Sequence, residues 1–77
     1  MRTATFEKAL AQFSAVRPFE PFTVELVTGL RLISRHPEAI ILEGDLAVYV
    51  EIDFTVQLFD AASVARLVSR VIPRSAE

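Results

Sequence analysis

The 77-residue chain has no cysteine and no tryptophan, one histidine and two glycines. Each shortage excludes a class of protein. Without cysteine there is neither a disulfide framework nor a thiolate metal site. His36 is a lone imidazole, and Glu38, two positions on around a proline, leaves any metal site incomplete. Gly29 and Gly44 stand apart, so no glycine-rich phosphate loop can form. Ser14, Ser34, Ser63, Ser69 and Ser75 lack the Gly-x-Ser-x-Gly setting of an activated nucleophile. No pair of groups with matched acid and base roles is evident. The sequence therefore predicts a non-enzymatic protein with no catalytic residue, no cofactor and no metal.

The charge lacks a basic excess. The formal net charge is −2, which argues against the usual nucleic-acid binder. Lys8 is the only lysine among the eight basic residues. Long apolar runs are missing too. The longest uncharged stretch is residues 9–16, whereas a membrane helix needs about 18 apolar residues. No charged n-region, apolar core and cleavage site opens the chain. The expectation is a cytoplasmic protein with no membrane partner, and the lack of cysteine is compatible with that compartment.

Apolar residues, by contrast, are abundant. They make up 52% of the chain before glycine is counted, against about 45–50% with glycine included in ordinary globular proteins. Seventy-seven residues make one domain. A domain of this size buries only about 60% of its unfolded surface. The surplus needs somewhere to go, and a homo-oligomer or an unknown protein partner is the natural sink.

The pattern predicts a helix over about residues 5–16. Phe6, Ala9, Leu10, Phe13 and Val16 share a helical face, Thr5 is a candidate N-cap, and Pro18 ends the helix. Pro18 and Pro21 stiffen a connector that delivers Phe19 and Phe22 to the first strand. In that strand Phe22, Val24 and Leu26 share a face, and Leu30, Leu32 and Ser34 share one in the next. Pairing Leu26 with Leu30 leaves Val27-Thr28-Gly29 as a three-residue loop with glycine at the left-handed position. The same register sets Glu25 opposite Arg31. A two-residue loop would turn Arg31 and Arg35 inward.

The His36-Pro37-Glu38 corner breaks the alternation, because Pro37 cannot donate to a sheet. Glu43-Gly44-Asp45 reads as a turn that sets Leu42 opposite Leu46 and Ile40 opposite Val48. Leu46, Val48, Val50, Ile52, Phe54, Val56 and Leu58 then share one parity. That is either one long bent strand or two in phase, and a break near residues 51–53 is the preferred reading. Asp60 is placed to cap a turn over residues 61–63, and residues 64–72 fit either a helix or a closing strand.

The Pro-Phe-x-Pro-Phe lead-in at residues 18–22, the hairpin with Gly29 and the Arg35-His36-Pro37-Glu38 corner resemble a group of small bacterial proteins that share these motifs. That resemblance spans about residues 10–70 and implies no activity. Residues 24–32 and 64–72 also look like the first hairpin and the closing strand of Sm-like proteins, which build rings and include a bacterial RNA chaperone. This likeness implies an α+β, mainly β fold: an N-terminal helix, then a strongly bent, five-stranded antiparallel SH3/Sm-like barrel over about residues 22–72. Where the chaperone family carries a basic Tyr-Lys-His-type turn, this chain has Phe59-Asp60-Ala61.

Three sets of residues are the candidate sites. Val48, Tyr49, Val50 and Phe54 form the expected oligomer interface, on an apolar strand that must be paired. Arg35, His36 and Glu38 form a possible functional corner. Arg31, Arg66 and Arg70 are the candidate contacts for the alternative, single-stranded RNA binding, with Tyr49 and Phe59 as stacking platforms.

Overall fold

The computed structural model describes residues 1–51 and 53–71. Helix α1 (Thr3–Ser14) precedes six strands: β1 (Phe22–Leu26), β2 (Arg31–Ser34), β3 (Ile40–Glu43), β4 (Leu46–Val50), β5 (Val56–Asp60) and β6 (Val64–Val68). A single 3-10 turn, Ala61–Ser63, joins β5 to β6. The strands form two three-stranded antiparallel sheets, ordered β2-β1-β6 and β3-β4-β5.

This overturns the five-stranded SH3/Sm-like barrel. Among the described residues there are six strands, and neither sheet closes. The reason lies at the corner between β2 and β3. The His36 carbonyl accepts both the Ser34 hydroxyl, at 3.2 Å, and the Ala39 N–H, at 3.1 Å. The chain is thereby tied into a local turn containing Pro37, which has no N–H to offer a ladder. So β2 and β3 separate instead of pairing.

The β1–β2 register follows the sequence reading. Glu25 lies opposite Arg31, Val24 opposite Leu32 and Phe22 opposite Ser34. Leu26 N–H donates to the Leu30 carbonyl at 2.8 Å, and Gly29 turns the loop at φ +94°. The β3–β4 register does not. Ile41, not Ile40, faces Val48, and Leu42 faces Ala47, not Leu46. Gly44 and Asp45 form a two-residue turn between Glu43 and Leu46. Gly44 takes φ +62°, as the first central residue of a type II′ turn requires. This one-residue slip exchanges the two faces of β4.

The break in residues 46–58 is real: β4 and β5 form a hairpin across residues 51–55, with Val50 opposite Val56. Asp60 caps the 3-10 turn by accepting Ser63 N–H at 3.0 Å, and β6 answers the helix-or-strand question over residues 64–68. Residues 72–77, with Ile72, Pro73 and the tail, lie outside the described residues, as does Ile52.

Helix α1 begins and ends two residues earlier than the pattern predicts. Its first turn is closed by Phe6 N–H on the Arg2 carbonyl, so Thr5 lies inside the helix and does not cap it. The helix stops at Ser14, before Pro18 can act, and Val16 is exposed. Phe6 packs on Phe59 with ring centroids 6.1 Å apart, and Phe13 meets Phe22 edge-on at 5.1 Å. One helical face therefore covers both sheets. The resulting core joins Phe6, Leu10, Phe22, Val24, Leu32, Ile40, Tyr49, Phe59 and Val64.

Candidate functional site

The slipped register decides which side chains face outward. In the β3-β4-β5 sheet the inner face carries Ile40, Ala47, Tyr49 and Phe59, all buried. The outer face carries an unbroken apolar row, Ile41–Val48–Leu58, with Val50 beside Val56 and Leu46 beside Asp60. These side chains stay in solvent: Ile41 is 50% exposed, Leu46 42%, Val56 55% and Leu58 62%. Isolated exposed apolar residues are ordinary, but a contiguous sheet face is not.

Phe54 adds to this. It sits in the β4–β5 hairpin at φ +68°, 85% exposed. A bulky non-glycine residue in the left-handed region costs roughly 1–2 kcal/mol. The surrounding turn holds it there. Phe54 N–H donates to the Glu51 carbonyl at 2.8 Å, Glu51 N–H to the Thr55 carbonyl at 2.8 Å, and Thr55 N–H to Asp53 Oδ1 at 3.0 Å. That last bond, with the Thr55 side chain, holds the Asp53 carboxyl below its usual range. The ring is thus both strained and solvent-exposed.

Of the expected interface residues, Val48 and Val50 lie half-buried on the outer face and Phe54 at its hairpin end. Tyr49 does not join them. It is buried, and its hydroxyl donates to the Ile33 carbonyl at 2.8 Å. The expected unpaired strand is also absent, because β4 is bonded on both sides, by β3 and β5. Val48 and Val50 are thus presented on the sheet face, not along a free strand edge. Ile41, Leu46, Val56 and Leu58 were missed from the sequence. A glycine at the first central position of a two-residue loop was the signal that would have found them.

The arginines are arranged differently. Glu25 lies between Arg31 on β2 and Arg66 on β6, one row across the sheet. Arg66 Nε is 2.5 Å from Glu25 Oε1 and Arg31 Nε is 3.5 Å from Oε2. The Arg66 hydrogen bond, reinforced by the charge of both guanidiniums, holds the Glu25 carboxyl below its usual range. Two of the three candidate RNA contacts thus share one carboxylate. Arg70 is exposed at the far end, where its carbonyl accepts the Thr23 hydroxyl at 2.7 Å.

The corner residues separate. Arg35 and His36 line a groove of about 250 Å³ with Arg31, Ile33, Ala39, Tyr49, Val50 and Glu51, in the gap where β2 and β3 part. Glu38 is exposed and lines no part of it. Among the described residues, no three metal-ligating side chains converge and no helix is long and apolar enough to cross a membrane. No family model, curated protein or solved structure matches the chain.

Proposed function

We propose that this protein is a non-enzymatic assembly module of the cytoplasm that associates with a second copy of itself through the outer face of its β3-β4-β5 sheet. The observation that carries this reading is the contiguous apolar face formed by Ile41, Leu46, Val48, Val50, Val56 and Leu58, ending at the strained Phe54. Two such faces related by a two-fold axis make a closed dimer. Stacked sheets sit about 10 Å apart and cross at about 30°. Each half-exposed side chain gains about 1 kcal/mol on burial, half the value for a fully buried one. Two copies of such a face together bring gains of about 10 kcal/mol, within the ~4–15 kcal/mol that association costs in lost freedom. Favourable pairing thus rests on Phe54 and on shape, and the dimer dissociates on dilution.

The polar groups at the end of the face are acidic. Glu43 and Asp60 flank Leu46 across the three strands. Like charges at the rim suit neither RNA nor an acidic partner, and salt that screens them favours self-association. Size-exclusion chromatography of Leu58→Lys and Val56→Lys tests the reading. Both positions are exposed on edge strand β5, so the fold is expected to tolerate the change. The expected result is a shift to later elution with an unchanged circular dichroism spectrum. Elution identical to the parent protein would reject this face.

A further inference from the structure

The groove between the two sheets shares Val50 with the dimer face but carries charged groups that self-association does not use. Its wall is apolar at Ile33, Ala39 and Val50. Arg35 and Glu51 both line it, yet among the described residues they are not ion-paired with each other. Arg31 shares Glu25 with Arg66, and one Glu51 oxygen accepts the Gln57 side-chain amide while the other has no partner among the described residues. Arg35 is exposed, and His36 stands next to it at the corner. A groove that presents a guanidinium, a carboxylate and an apolar wall can hold both signs of charge. Its complement is a molecule carrying both charges. The volume of about 250 Å³ lies below the ~300–1,000 Å³ of drug-sized sites, which limits the ligand to a small one.

We propose that this groove binds a free α-amino acid with an apolar side chain, its carboxylate on the Arg35 fork and its ammonium on Glu51. The planar guanidinium pairs a carboxylate through two parallel hydrogen bonds, and the apolar wall takes the side chain. This gives the Arg-His-Pro-Glu corner a purpose: it holds β2 and β3 apart and sets Arg35 at the mouth of the gap.

The test is a titration of isotope-labelled protein followed by backbone amide NMR, at fixed pH and ionic strength. The probes are L-leucine, L-leucinamide, which lacks the carboxylate, and 4-methylpentanoate, which lacks the ammonium. The expected result is saturable shifts at residues 31–36 and 49–51 with leucine, and binding at least about tenfold weaker for each analogue, the loss of one charged hydrogen-bonded contact. Arg35→Gln removes the preference for leucine over leucinamide. Glu51→Gln removes the preference for leucine over 4-methylpentanoate. Equal responses to all three probes, or shifts that never saturate, would overturn the assignment. Leu58→Lys is expected to bind leucine normally, so failure of the groove and failure of the dimer face are read separately.

Discussion

Replacing Tyr49 with phenylalanine tests how the two sheets are held together. The antiparallel ladder alternates, and Leu26 N–H donates to the Leu30 carbonyl. Counting two residues at a time, Val24 and Leu32 form the next bonded pair, so Ile33 turns its carbonyl away from β1 to the open edge of β2. There the Tyr49 hydroxyl from β4 reaches it at 2.8 Å. One side-chain hydrogen bond thus links sheets that no backbone ladder joins between β2 and β3. Tyr49→Phe keeps the ring and its burial but leaves the carbonyl without this donor. The loss is about 1–2 kcal/mol. For a domain of this size each kcal/mol moves the melting temperature by about 4–8 °C. The expected fall is about 5–15 °C in a thermal melt followed by circular dichroism on dilute protein. A change below about 2 °C would refute the idea that this bond ties the sheets. Tyr49→Lys, by the same logic, unfolds the chain rather than dissociating a dimer, because it places a charge in the core.

Other substitutions separate monomer stability from assembly. Phe54→Gly relieves the left-handed strain and raises or preserves the melting temperature, yet weakens self-association; tighter association would contradict the role given to the ring. Gly29→Ala meets nothing within 4 Å, so its cost of about 1 kcal/mol is purely conformational and appears as a lower denaturant midpoint with an unchanged slope. The paired carboxylates make stability fall in acid. Glu25 is held below its ordinary value of 4.5 chiefly by the Arg66 hydrogen bond, and Asp60 below 3.8 by its bonds to Ser63. For such groups the stabilisation is present above the ordinary value and is lost as pH falls through the lower, folded one. Denaturation midpoints are therefore expected to drop below about pH 4.5, and less steeply in Glu25→Gln.

The parts of the fold that the sequence specified strongly are those with one polar face. In β1 and β2 only one register keeps Phe22, Val24, Leu26 and Leu32 together while Arg31 faces Glu25, and Gly29 confirms the loop length. The second sheet offered no such contrast. Ile40 and Ile41 are adjacent, and β4 alternates Leu46, Val48 and Val50 with Ala47 and Tyr49, so both faces are apolar. Parity then favours neither register. The structure buries the aromatic set because Tyr49 and Phe59 fill more of the core than the valines would, and small Ala47 and Ala61 leave room for Phe6 to reach Phe59. Barrel closure was illegible for a related reason. It depends on whether the chain continues straight or turns at His36, and two hydrogen bonds to one carbonyl decide that. Phe54 was visible as one of the apolar residues that share the parity of residues 46–58, but its positive φ was not.

The most direct test of the dimer face is mass by light scattering across a dilution series, at low and high salt, for the parent chain and Leu58→Lys. Absorbance at 260 and 280 nm is followed together, since a chain with one tyrosine and no tryptophan makes bound nucleic acid conspicuous. The expected result is a concentration-dependent approach to twice the 8.6 kDa chain mass, persisting or strengthening in salt, with Leu58→Lys remaining at the single mass. A parent chain that stays monomeric at every concentration, or an assembly that keeps its mass in Leu58→Lys or dissolves in salt as 260 nm absorbance is lost, would contradict it.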